Sequence, residues 1–189
     1  KDSIMTAVSK PNGPTLISFF AIKDKQTLIN EFAINLSESD LIVDLVINDS
    51  NDAYLLSNKK LMKLDSKGHK IEQVCTFEDG KRLLSTGNDD WLLVVVGGVK
   101  QSQIVPFSLL NRVKLSPLEL SSEVEAEQSV LATIGDQTQL VCVSKGRLQS
   151  YLLAFSHSKT SYRLAKTSEL APTTLVRPTD YCQLTCSCS

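Results

Sequence analysis

Residues 51–74, NDAYLLSNKKLMKLDSKGHKIEQV, decide the fold. An apolar run closes at Ser57 and an Asn-Lys turn follows. A second apolar run ends at Leu64-Asp65, a turn at Lys67-Gly68 comes next, and a third run reaches Val74. Three short apolar runs punctuated by turn-forming residues form a β-meander, since strands need only a few residues between them when they pair antiparallel.

The same rhythm extends outward in both directions. Helical periodicity is nearly absent, and the chain is built from runs rich in Val, Ile, Leu, Phe and Tyr, separated by Gly, Asn, Asp, Ser and Lys. That pattern predicts an antiparallel all-β architecture. Residues 6–22, 54–65, 92–110 and 140–155 share one frame, an apolar strand, a short turn and a second strand. The turn positions Ser9, Ser57, Gly97 and Ser144 are 48, 40 and 47 residues apart. A third strand follows each pair, at 27–34, 70–77, 111–120 and 161–170, and a further strand precedes three of them, at 41–47, 81–87 and 129–134. Four strands in a unit of roughly 40 to 48 residues is the rhythm of a propeller blade.

On these residues the chain resembles the WD-repeat β-propeller family. Where that family carries Trp-Asp at the end of a blade's third strand, this chain has Lys23-Asp24, Leu64-Asp65, Leu110-Asn111 and Ser156-His157, and no Gly-His dipeptide precedes a blade. The expected organisation is an array of four-stranded antiparallel blades at 1–35, 40–77, 81–120 and 128–170, with partial strands at 173–189. Propellers usually close with more blades than this, so the chain is read as an incomplete portion of a larger propeller. An ordinary antiparallel sandwich or barrel is the alternative fold.

Composition narrows the function classes. With 20 basic and 21 acidic residues among 189, the net charge of −1 gives no electrostatic footprint for nucleic acid or an anionic membrane. The longest apolar stretch, 91–99, is about half of what a spanning helix needs. Residues 1–10 show no apolar leader segment, and the chain begins with Lys. Five cysteines, Cys75, Cys142, Cys182, Cys186 and Cys188, are an odd set and read as reduced thiols of a cytosolic or nuclear protein. Two glycosylation sequons, at Asn35 and Asn48, point the other way.

Catalytic constellations are not found. Both histidines, His69 and His157, fall in or beside turns, and no G-x-S-x-G elbow surrounds a serine. Cys182, Cys186 and Cys188 share one face of a strand and suit a buried surface better than zinc, so no metal is expected. Cys75 and Cys142 read as core residues of their strands. Adjacent Asp89 and Asp90 point to opposite faces and do not converge on a substrate. Gly97-Gly98 reads as a hairpin turn rather than a phosphate cradle, and no cofactor is expected. The acidic stretch 121–129 reads as a solvated linker. Lys59, Lys60, Lys63, Lys67 and Lys70 gather within one blade and form the expected partner-contact surface, with phosphate contact as the alternative and no aromatic neighbours for base stacking.

The function expected from the resemblance is a non-catalytic protein–protein interaction scaffold. Its partners are other protein subunits of an intracellular assembly, nuclear or cytoplasmic. An enzyme whose site lies in a part of the chain not given, and an extracellular β-domain, are the alternatives.

Overall fold

A computed structural model describes residues 3–9, 14–21, 28–36, 40–48, 50, 52–64, 71–85, 90–134, 137–156 and 161–170. All regular structure among them is β, in four antiparallel sheets. The first has three strands, β1 (Ser3–Ser9), β2 (Thr15–Ala21) and β3 (Leu28–Ile34). The second holds β4 (Ile42–Ile47), β5 (Ala53–Ser57), β6 (Lys60–Leu64) and β7 (Ile71–Thr76). The third holds β8 (Gly80–Ser85), β9 (Trp91–Val96), β10 (Gln103–Ser108) and β11 (Val113–Lys114). The fourth holds β12 (Val124–Ile134), β13 (Gln137–Ser144), β14 (Arg147–Phe155) and β15 (Tyr162–Leu170). Strands neighbour one another in chain order within every sheet, which is a meander repeated four times.

Two compact units divide the chain, 1–83 and 84–189. In the first, the interior faces of two sheets share one core of Met5, Ile17, Ile34, Ala53, Leu55, Met62 and Leu64. β5 is buried at all its positions, which is why it reads as an unbroken apolar run instead of alternating. Asp44 sits at a register break of β4 against β5 and accepts hydrogen bonds from the amides of Leu45 and Leu83, at 2.8 and 2.7 Å. A carboxylate at an irregularity of β4 thus supplies an acceptor to backbone amides of β4 and β8.

The second unit is built around Leu93, Val95, Ile104, Val124, Leu140, Cys142, Tyr151 and Leu153. Trp91 stacks on Phe155 with ring centroids 4.0 Å apart and planes at 18°, joining the starts and ends of distant strands. β13 and β14 meet in a two-residue turn, Ser144 opposite Arg147, with Lys145 at φ 47° and Gly146 at φ 72°. Positive φ at both central positions matches the right-handed twist of the hairpin, and glycine adopts it without a steric cost.

Two expectations are corrected. Residues 111–120 do not form a third strand; only Val113–Lys114 pairs, because the Ser116-Pro117 step takes the chain out of the ladder before Leu118 returns to bond Ile104. The stretch 121–129 is not a linker throughout, since β12 begins at Val124. Its Glu-Val-Glu-Ala-Glu alternation buries Val124 and Ala126 while Glu123, Glu125 and Glu127 stay exposed. Gly97-Gly98 does lie in a hairpin connection, the one that joins antiparallel β9 and β10 through residues 97–102. A Cβ on Gly98 would lie 2.3 Å from the Gln101 carbonyl oxygen, which accounts for glycine there.

Candidate functional site

The expected basic surface begins at the β5–β6 turn. Ser57 is buried, and its hydroxyl accepts the amides of Lys59 and Lys60 at 3.1 and 3.0 Å while donating to the Lys60 carbonyl at 3.3 Å. A serine in this place substitutes for backbone partners and fixes the turn. Ser108 does the same for the amide of Asn111 at 3.2 Å.

Lys60 reaches the buried Asp40 at 2.6 Å, and Lys63 reaches Asp52 at 2.5 Å. Lys63 also lies 5.8 Å from the Tyr54 ring centroid. Burial works to lower the Lys63 pKa, but Asp52 and Tyr54 together hold it above its ordinary value. Because strand side chains alternate, Lys60 and Lys63 leave β6 on opposite faces and do not form one patch. Lys59 is exposed at the turn, while Lys67 and Lys70 lie outside the described residues.

Other singled-out groups are placed as follows. Cys142 is buried and accepts a hydrogen bond from Ser129 Oγ at 3.2 Å; burial pushes its pKa up to about 11, against the lowering effect of that bond. Cys75 is half-buried on β7, which is less than the core position expected of it. His69, His157, Asp89, Cys182, Cys186 and Cys188 lie outside the described residues. Among the described residues no group of three or more His, Cys, Asp and Glu is placed to hold a metal. No helix there is long and apolar enough to cross a membrane. The two sequons separate: Asn35 is exposed just past β3, whereas Asn48 is buried with its Oδ1 accepting the Asp52 amide at 2.7 Å.

Two concave features, both in the second unit, were not anticipated from the sequence. One is a cleft of about 400 Å³ along β12, walled by Glu123, Glu125 and Glu127. Their carboxylates are engaged by Lys145, Gln128 and Ser102 respectively, the last at 2.6 Å. The other is a cavity of about 590 Å³ between residues 114–119 and the start of β15. Its lining is mostly polar, with Lys114 and Glu119 bringing opposite charges and Ser116 and Ser161 hydroxyls, beside apolar carbon of Leu115, Tyr162 and Leu164. The Tyr162 hydroxyl donates to the Pro117 carbonyl at 2.8 Å, so the two sides are tied together. Burial, and secondarily the charge of Glu119, raise the Tyr162 pKa. The only local signal for this cavity was the proline at 117, which ends the strand and turns the chain over Tyr162.

No family model matches the chain, and neither does any curated protein sequence. Solved structures of β-propeller proteins do match its fold. A chain of the nidogen/laminin complex is similar with a TM-score of 0.55 and 9% identity, covering 88% of this chain and 62% of that one. TolB from Acinetobacter baumannii is similar with a TM-score of 0.53 and 11% identity, over 88% of this chain and 41% of that one. Atg21, in a structure of its complex with the coiled coil of Atg16, gives 0.52 and 12%, over 88% and 61%. The chain thus spans less than two thirds of each of these structures. The likeness is one of fold, with β-propeller blades as the common unit.

Proposed function

We propose that this chain is a non-catalytic interaction platform, a WD-repeat-like subunit of a multi-subunit intracellular assembly, with nuclear complexes among its hosts. The observation that carries the reading is the β10–β11 connection. β10 is buried from Ile104 to Ser108, yet the connection that follows displays Leu110, 67% exposed, and Val113, 46% exposed. Between them Arg112 is held at φ 54°. A non-glycine residue in the left-handed region costs about 1–3 kcal/mol unless its surroundings impose it, and such positions concentrate where a surface has a task. Rigid strands that present a strained, partly apolar connection are suited to a protein partner.

The propeller-fold Atg21 solved with a coiled coil supports the same kind of role, at the level of fold analogy. The exposed Lys59 turn is a second proposed contact, with Lys60 and Lys63 holding the blade that displays it. The test is recovery of the intact protein from its cells at moderate salt, followed by mass spectrometry of what co-purifies. A reproducible, stoichiometric set of subunits supports the platform. Recovery as a lone monomer overturns it.

A further inference from the structure

We propose that Ser116 is the phosphate acceptor of a proline-directed protein kinase, and that phosphorylation there releases a partner held by the 109–117 connection. The release rests on the platform reading; the modification stands without it.

Ser116-Pro117 is the one place in the 189 residues where a serine or threonine precedes proline. The fold puts that pair where an enzyme can reach it. The Leu115 amide donates to the Pro106 carbonyl at 2.9 Å and the Leu118 amide to the Ile104 carbonyl at 2.8 Å, so the chain is pinned to β10 on both sides of the pair. Between those pins Ser116 and Pro117 are both exposed and belong to no strand. Proline has no N–H to leave unpaired there, and it holds the residue before it extended. A kinase groove binds its substrate extended, and a groove that offers no acceptor to the following N–H selects proline at that position.

Access requires little unfolding. Residues 110–114 are exposed, and only Val113 and Lys114 pair with β10. Other hydroxyls are less suited: Ser57, Ser108, Ser129 and Ser144 are buried, while Ser121 and Ser122 are exposed but precede no proline. In the transfer, Ser116 Oγ bonds to the γ-phosphorus of ATP, the bond to ADP breaks, and the hydroxyl proton passes to the kinase's catalytic aspartate. Ser116 lines the mostly polar recess of about 590 Å³, which has room for the added group and its water. The phosphate brings about −1.5 to −2 charges three residues from Val113, whose exposed side chain, with that of Leu110, is the apolar contact of the platform. A partner that covers those side chains must also strip water from the phosphate, which opposes docking.

The test incubates the intact folded chain with ATP and a cyclin-dependent kinase. Mass spectrometry is expected to place one phosphate at Ser116, at a rate within about tenfold of that for a free peptide of residues 110–121, since few hydrogen bonds must open. Ser116→Ala should take up none. Pro117→Ala keeps the hydroxyl and the carbonyl that Tyr162 bonds, and should lose most of the rate. Transfer only after urea unfolding, transfer to Ser121 or Ser122 instead, or P117A modified as fast as its parent overturns the site. Subunits captured by the unmodified chain should fall about tenfold on the phosphorylated chain, the effect of one charge stripped of part of its water, and stay unchanged on kinase-treated S116A. Equal capture by both forms overturns the release and leaves the platform reading intact. Capture of nothing by the unmodified chain overturns the platform and the release with it, while transfer to Ser116 is read without any partner, so the failures are distinguishable.

Discussion

Removing Lys60 should cost more than removing the aspartate it pairs with. The two side chains lie 2.6 Å apart, but Asp40 is 2% exposed and Lys60 is 26% exposed. Asp40 Oδ1 has no hydrogen-bond partner among the described residues, so Lys60 is the principal compensation for a buried charge. Lys60→Met leaves the carboxylate buried, and breaking a buried pair in that way costs about 3 kcal/mol or more. Asp40→Ala leaves an ammonium already near solvent, which rehydrates; about 1 kcal/mol is expected, chiefly from lost packing and one hydrogen bond. The double variant K60M/D40L should recover most of the loss, because neither charge is then buried. Equilibrium urea unfolding measures all three, with the slope unchanged if only stability is affected. Equal losses for K60M and D40A, or additive losses in a Lys60/Asp40 double variant, would refute the asymmetry.

Further consequences are open to measurement. Native chain treated with iodoacetamide at pH 8 and mapped by mass spectrometry should be modified at Cys75 and spared at Cys142. The folded Cys142 pKa, about 11, lies above its ordinary 9.0. Its neutral form is favoured in the fold, so this contribution to stability is fully present below pH 9 and is lost as pH rises through about 11, which unfolding curves across that window check. Gly98→Ala, whose Cβ would meet the Gln101 carbonyl at 2.3 Å, should destabilise by about 1–3 kcal/mol and lower the thermal midpoint. Passed through a eukaryotic secretory pathway, the folded chain should accept glycan at Asn35 and none at Asn48, whose amide side chain is buried and bonded. Glycan on Asn48 of folded chain would contradict the turn geometry around it.

Local chemistry was the part of the structure visible in the residues themselves. The turn read at Ser144 is where β13 meets β14, and the apolar stretch at 91–99 contains a strand, β9, that is buried at every position. The acidic residues at 121–129 hid a strand because their charge outweighed the two-residue alternation, even though Val124 and Ala126 kept that period. The pairing of the lysines was hidden for a different reason. Proximity in sequence says nothing of the aspartates that fold against them, and Lys60 meets its partner twenty positions away. The Tyr162 cavity was the least legible feature. Its walls come from segments 45 residues apart, joined by one hydrogen bond, and no periodicity records such a meeting.

The most direct test of the platform is hydrogen exchange on the chain alone and in its recovered complex. The account predicts new protection at connections and edges, namely 97–102, 109–117 and β15, with the buried strands β5 and β9 slow in both states. Identical exchange in the two states, or protection absent from every connection and edge, would contradict it.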